Sequence, residues 1–155
     1  MSDAKTLQRL IAYVAAVGIL LLYATGLATG RSDSRSGMLR DDVAKLIGNW
    51  TGESICVGNN PACHDEKVVY HISRSTDDAG QVIIAANKIV DGKPEPMYVL
   101  DFKYDAAKRT LVGEFQNSRY HGVWEYTVRG NAMEGTLSLL PARTIVRRVK
   151  IKKDE

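Results

Sequence analysis

The chain has 155 residues, a formal net charge of +3 and 45% hydrophobic residues. Basic and acidic residues are mixed along its length, without the concentrated positive charge typical of nucleic-acid-binding proteins, so we expect no nucleic-acid partner. Internal repeats and low-complexity segments are absent.

The N-terminal segment is dominated by an uncharged run from Leu10 to Gly30, with Lys5 and Arg9 before it. About 18 or more apolar residues can cross a bilayer, whereas buried helices of soluble proteins rarely need so long an uncharged run. We therefore predict that residues 1–30 direct export. Everything after them is expected to work in the periplasm or cell envelope.

Two forms of this segment fit the residues. A cleaved signal peptide needs a basic start, an apolar centre and small residues at the cut, which Ala24-Thr25-Gly26 or Ala28-Thr29-Gly30 supply. An uncleaved transmembrane anchor is favoured by the total length of the run. The protein is soluble in the first form and attached to the membrane in the second, and the sequence leaves both open.

In the rest of the chain we predict a linker at residues 31–40, which is rich in Ser, Arg and Gly, and one domain at residues 41–155. After the leader and linker about 110 residues remain, enough for a single hydrophobic core. Asp41 or Asp42 can cap a short helix that Gly48 ends. Val43, Leu46 and Ile47 would share one side of that helix.

Eight runs rich in Val, Ile, Thr and aromatic residues follow, and turn formers such as Asp91-Gly92-Lys93 separate them. The predicted strands are Asn49 to Val57, Lys67 to Ser73, Gln81 to Val90, Pro96 to Tyr104, Thr110 to Gln116, Arg119 to Val128, Ala132 to Leu139 and Arg143 to Lys152. The short gaps indicate antiparallel hairpins, so the predicted fold is all-β. We expect an eight-stranded up-and-down barrel, because closure removes exposed edges that a sandwich keeps.

The stretch from Leu46 to Gly52, in which a short helix runs into Gly48-Asn49-Trp50, resembles the start of the lipocalin-like (calycin) barrels. In that superfamily an Arg on the final strand packs across the first-strand Trp at the closed end. The resemblance implies that Arg147, which shares a strand face with Ile145 and Val149, fills this structural role. The chain lacks the C-terminal helix and the Thr-Asp-Tyr signature of animal lipocalins, so it is more similar to the short bacterial members.

Cys56 and Cys63 are the only cysteines, and an exported pair around a Gly/Asn/Pro loop predicts a disulfide. Cys63-His64 resembles the end of a c-type haem site, but six residues separate the cysteines where that motif needs two. His64, Asp65 and Glu66 are consecutive, which is a poor zinc chelate and indicates a solvated acidic loop. We expect no metal and no cofactor.

Strand alternation predicts an aromatic interior. The residues expected to point inward are Val68, Tyr70, Ile72, Tyr98, Leu100, Phe102, Tyr104, Tyr120, Gly122, Trp124, Tyr126, Val128, Met133, Gly135, Leu137 and Leu139. Eight-stranded barrels are either filled by side chains or hold one small molecule, and the sequence leaves both open. If a cavity exists, we expect Tyr70, Tyr98, Phe102, Trp124 and Tyr126 to line it.

The sequence does not favour catalysis. His71 and His121 fall on predicted outer faces, and no nucleophile elbow or carboxylate pair is present, so we expect no enzymatic activity. The predicted function is binding of a small apolar or aromatic ligand inside the barrel. The alternative is a cell-envelope protein-binding module or enzyme inhibitor that uses the Cys56 to Cys63 loop, with the barrel as a solid support.

Overall fold

The computed structural model describes residues 41–155, which form a closed antiparallel β-barrel. Its strands are β1 (Gly48–Cys56), β2 (Glu66–Arg74), β3 (Gln81–Val90), β4 (Lys93–Asp105), β5 (Thr110–Gln116), β6 (His121–Arg129), β7 (Ala132–Leu139) and β8 (Thr144–Lys153). Each strand pairs with its neighbours in the chain, and β8 pairs with β1 to close the barrel. The predicted eight-stranded up-and-down barrel is confirmed. The predicted leader and the predicted linker lie outside the described residues.

A helical turn precedes the barrel. Residues 41–44 are helical, residues 45–46 form a turn, and Gly48 opens β1 with a φ of 128°, a backbone conformation that favours glycine. Val43 and Leu46 are buried, and Ile47 packs against the core. The predicted short helix is thus present, with its apolar side toward the barrel. Among residues 41–155, no helix has the length and apolar character needed to span a bilayer.

Alternate residues of each strand fill the interior, as a half-buried sheet requires. In β3, a strand that is apolar on both faces, Val82, Ile84 and Ala86 are the buried residues. Two inward glycines make room for aromatic rings. A Cβ on Gly113 would lie 2.7 Å from the Phe102 ring, and one on Gly135 would lie 2.2 Å from the Tyr126 ring. These close approaches fix where the two rings sit.

The ladder between β4 and β5 is the shortest in the barrel. It joins only Lys103–Asp105 to Thr110–Val112, three residue pairs, whereas each other ladder has at least seven. We call the unpaired stretch above it, between residues 93–102 of β4 and 113–116 of β5, the β4–β5 seam.

The fourth strand begins at Lys93, three residues before the predicted start at Pro96. Pro94 and Pro96, which lack an N–H, both lie in this early part and pair with β3 on one side only. Prolines are tolerated there because β5 does not pair with this part of β4, so no ladder hydrogen bond on that side is lost.

Two residues depart from the predicted strand faces: Tyr120, which was predicted to point inward, and Ile145, which was predicted to share a face with Arg147 and Val149. Tyr120 is 53% exposed because it lies in a turn, where the Asn117 side chain accepts hydrogen bonds from the N–H groups of Arg119 and Tyr120. Ile145 is 37% exposed because the register between β7 and β8 shifts at Leu137/Ser138. An extra residue at such a bulge reverses the alternation beyond it.

Candidate functional site

The two ends of the barrel differ in what fills them. At one end the helical turn lies against Trp50, which is fully buried and donates a hydrogen bond from Nε1 to the Leu46 carbonyl oxygen at 2.8 Å. Lys153, the β8 partner of Trp50, donates from Nζ to the Lys45 carbonyl oxygen at 2.8 Å. Side chains therefore close this end.

The other end carries the β1–β2, β3–β4, β5–β6 and β7–β8 loops, because consecutive antiparallel strands alternate in direction. A cavity of about 320 Å³ lies there, inside the barrel. Its lining residues are Ser54, Glu66, Met97, Tyr98, Leu100, Phe115, Asn117, Trp124, Leu137 and Arg147. Leu100 and Phe115 come from the two sides of the β4–β5 seam. The cavity therefore lies behind the part of the barrel wall with the fewest paired strand residues.

Five aromatic rings form one continuous cluster at the base of this cavity. Trp124 stacks on Tyr126 with ring centroids 5.7 Å apart and planes 10° apart, and it also contacts Tyr98 at 5.7 Å. Tyr70 meets Tyr98 and Tyr126 edge to face, and Phe102 packs on Tyr126. Such ring pairs add about 0.5 to 1.5 kcal/mol each beyond their buried area. The cluster gives the cavity a rigid aromatic base.

Three tyrosine hydroxyls meet inside this cluster. The Tyr126 hydroxyl donates to Tyr70 at 3.3 Å and lies 3.4 Å from the Tyr98 hydroxyl, both long for O–H···O hydrogen bonds. Burial raises the pKa of all three phenols, and raises those of Tyr98 and Tyr126 well above the ordinary value of 10.0. The hydroxyls therefore stay neutral at physiological pH and serve only as hydrogen-bonding groups.

A polar cluster forms one side of the cavity. The Arg147 guanidinium donates from Nε to Ser54 Oγ at 2.9 Å, and from Nη2 to Glu66 Oε2 and to the His64 carbonyl oxygen, each at 2.8 Å. The side chains of Arg147 and Glu66 are only 18% and 20% exposed. A charge-assisted pair that is shielded from water is stronger than a surface pair, and these bonds fix the guanidinium in place.

The predicted ligand-lining residues lie together, but three of them do not line the cavity. Tyr98 and Trp124 do. Tyr70, Phe102 and Tyr126 are fully buried beneath them, because their rings fill the middle of the barrel and pack on one another. The sequence did not decide between a core filled by side chains and a ligand cavity. The described barrel has both, because side chains fill the half next to the closed end and a cavity occupies the open end.

The predicted contact between Arg147 and Trp50 is wrong. The register pairs Trp50 with Lys153 and pairs Arg147 with Cys56, six residues farther along β1. At about 3.3 Å per strand residue this separates the two backbone positions by roughly 20 Å. Arg147 therefore lies on the cavity at the open end, and Trp50 lies at the closed end.

Several cavity residues were missed from the sequence. Glu66 was assigned to a solvated acidic loop, but it is the first residue of β2 and shares the inward parity of Val68 and Tyr70. Ser54 has the parity of Trp50 on β1 and is buried. Alternation alone could have found both. Met97 and Asn117 lie at a bulge in the β3–β4 pairing and in a turn, where alternation gives no signal.

The disulfide between Cys56 and Cys63 is confirmed, with Cα atoms 6.0 Å apart. Cys56 donates its backbone N–H to Asp65 Oδ1 at 2.8 Å, and Cys63 donates to the Asn60 carbonyl oxygen at 3.0 Å. The loop at the rim of the cavity is therefore held by covalent and hydrogen bonds.

The histidines on the outer surface do not join the cavity. His71 lies 2.7 Å from Asn49 Oδ1, and His121 contacts the Glu114 carboxylate. Within residues 41–155, no three His, Cys, Asp or Glu side chains are grouped so that they could hold a metal ion.

The fold and site define a closed eight-stranded antiparallel β-barrel with a small aromatic and polar cavity at one end. No known protein family matches the chain, and no curated protein matches it significantly. The architecture is consistent with the lipocalin-like fold that the Gly-x-Trp start resembles.

Proposed function

We propose that this protein is an exported lipocalin-like barrel that binds a small apolar or aromatic molecule in the cavity at its open end, without enzymatic activity. The observation that carries the proposal is the cavity itself, about 320 Å³ in volume, with Tyr98 and Trp124 in its wall. Ligand sites are commonly concave, mostly apolar and about 300 to 1,000 Å³ in volume, with a few fixed polar groups. This cavity lies at the small end of that range and suits a molecule of about one to three rings.

The lipocalin-like assignment draws on two features. The barrel is up-and-down and eight-stranded, and its first strand carries a buried Trp50 directly after a helical turn. Arg147 does not stack on this Trp, so the assignment rests on architecture and on the Gly-x-Trp start.

Binding can be tested with N-phenyl-1-naphthylamine, an uncharged aromatic dye whose fluorescence rises in apolar surroundings. We expect saturable binding to the full-length chain and a loss of at least about tenfold in affinity for Trp124→Ala, since aromatic anchors dominate binding energy. Tyr120→Ala is the matched control, because this exposed aromatic does not line the cavity. Equal losses in both variants, or no saturable binding, would reject the proposal.

Export can be tested by native mass spectrometry of protein recovered from its own envelope fraction. A mature mass starting near Leu27 or Arg31 supports a cleaved signal peptide, and a full-length mass in the membrane supports an anchor. Recovery from the cytosolic fraction alone would contradict export.

A second function is favoured by the disulfide loop. Residues 59–61 are exposed, while the Cys56–Cys63 bridge and the Asp65 carboxylate hold the loop. A pre-organised exposed loop suits a protein-binding module or enzyme inhibitor, because little ordering is needed on association. In a pull-down from the envelope fraction, such a module would lose its partner on Pro61→Gly and keep it on Trp124→Ala. A ligand carrier would show the opposite pattern in dye binding.

A further inference from the structure

The Arg147 guanidinium has hydrogen-bonding capacity that the described part of the chain does not use. Nε and Nη2 are bonded to Ser54, His64 and Glu66, but among residues 41–155 Nη1 has no hydrogen-bond partner. No buried side-chain N or O atom in the described residues lacks a partner, so Nη1 reaches solvent. Arg147 lines the cavity, and its two Nη1 protons can be donated to an acceptor that reaches them.

The charge of this site is already balanced. Arg147 and Glu66 are the two charged residues among those that line the cavity, and they form an ion pair with a 2.8 Å contact. The other polar lining groups, Ser54, Asn117 and the Tyr98 hydroxyl, are neutral. The net charge of the lining is therefore zero, although one face of the cavity donates strong hydrogen bonds.

We propose that the cavity selects uncharged ring-containing molecules that carry a hydrogen-bond acceptor oxygen, such as an amide or ketone, and discriminates against the corresponding carboxylates. This inference rests on the proposed ligand-binding function. The acceptor oxygen takes the Nη1 protons of Arg147, and the ring lies against Tyr98 and Trp124. A ligand carboxylate would share one guanidinium with Glu66 and leave a net negative charge in a partly buried site, which is unfavourable.

The test compares three probes of nearly the same shape: 2-naphthamide, 2-naphthoate and 2-methylnaphthalene, titrated calorimetrically into the full-length protein at pH 7. We expect 2-naphthamide to bind at least about tenfold more tightly than 2-naphthoate, because the extra charge is uncompensated. It should also bind more tightly than 2-methylnaphthalene, which lacks the acceptor, by about threefold to tenfold.

Glu66→Gln provides the decisive variant, since it keeps the side-chain shape and removes the charge that neutralises Arg147. Binding of 2-naphthoate should then improve by at least about tenfold, while binding of 2-naphthamide changes less. Glu53→Gln is the matched control: it removes the same charge from an exposed residue beside Ser54 that does not line the cavity. This control should leave the ratio of the two affinities unchanged.

The possible outcomes distinguish the proposed selectivity from the proposed ligand-binding function. If 2-naphthoate binds wild-type protein as tightly as 2-naphthamide does, the selectivity is wrong and the ligand-binding function stands. If none of the three probes binds, both the function and the inference fail. A thermal unfolding measurement checks that the Glu66→Gln variant is folded. If the variant is unfolded, the comparison of 2-naphthamide with 2-naphthoate on the wild-type protein decides whether the selectivity is correct.

Discussion

The closed and open ends of this barrel are built from the same eight strands but with opposite chemistry. At the closed end the side chains of Trp50, Val43 and Leu46 are buried. Their one polar group, the indole N–H of Trp50, donates a hydrogen bond to the Leu46 carbonyl oxygen. At the open end the interior holds an ion pair, a cavity and guanidinium protons that bond to no other group within residues 41–155. The difference shows that one small barrel can be filled and closed by side chains at one end and keep a polar cavity at the other.

The largest expected effect comes from emptying the closed end. Trp50→Ala removes a fully buried indole, and we expect it to lower the free energy of unfolding by about 3 to 5 kcal/mol. Trp124→Ala should have a smaller effect, because that indole borders a cavity and its loss enlarges a space already open. Urea unfolding of both variants compares the ends directly. Equal losses would show that the two ends contribute alike.

The disulfide tests how far the open end depends on covalent restraint. Replacing Cys56 and Cys63 together by Ser should lower the free energy of unfolding by about 2 to 3 kcal/mol, the value expected for so short a loop. The closed end lies at the other end of β1 and should keep its structure. In a Trp124→Phe background, where Trp50 is the one remaining tryptophan, fluorescence in the folded state should therefore be unchanged by the cysteine replacements. A shift in that emission would mean that the loop also supports the closed end.

The ion pair gives a third test. Arg147→Met should destabilise the protein by about 2 kcal/mol, since it leaves the Glu66 carboxylate partly buried without its partner. The double variant Arg147→Met/Glu66→Gln should recover most of that loss, because two neutral groups replace the pair. A double-mutant cycle in urea measures the coupling, and additive losses would contradict a shielded ion pair.

The smallest effect is set by pH and involves the tyrosines beneath the cavity. Burial raises the pKa of Tyr126 well above 10.0, so its stabilising contribution is intact below the unfolded-state pKa and is lost as pH rises above it. The free energy of unfolding should fall above about pH 10, by about 1.4 kcal/mol per pH unit for each tyrosine that stays protonated only when folded. Tyr126→Phe should make this decline shallower. An unchanged slope would show that Tyr126 titrates normally.

The fold was predictable because each strand follows a simple alternation. All eight strands lie within a few residues of their predicted bounds, and the short turns between them dictate antiparallel pairing. The errors fall where alternation breaks. Tyr120 lies in an Asn117 turn, and Ile145 lies beyond a bulge, and neither feature has a sequence signal as clear as strand periodicity.

The site was predictable only in part. Strand alternation places Tyr98 and Trp124 inside the barrel, but it does not say how far along the barrel axis a side chain lies. It could therefore not separate these cavity residues from the fully buried Tyr70 and Tyr126. The depth of Arg147 depends on the register between β1 and β8, a long-range property. The resemblance assigned it to the wrong end for that reason.

The β4–β5 seam has a further consequence for how the barrel meets other chains. An unpaired strand edge is a template on which a second molecule can add a strand and begin an aggregate. Pro94 and Pro96 occupy this edge of β4 and cannot donate the hydrogen bonds that such an added strand needs. This part of the wall can therefore remain unpaired beside the cavity while resisting fibril growth. Between Val99 and Asp101, amide hydrogens that point toward the β4–β5 seam rather than toward β3 should exchange with solvent faster than those of β6, which is paired on both sides.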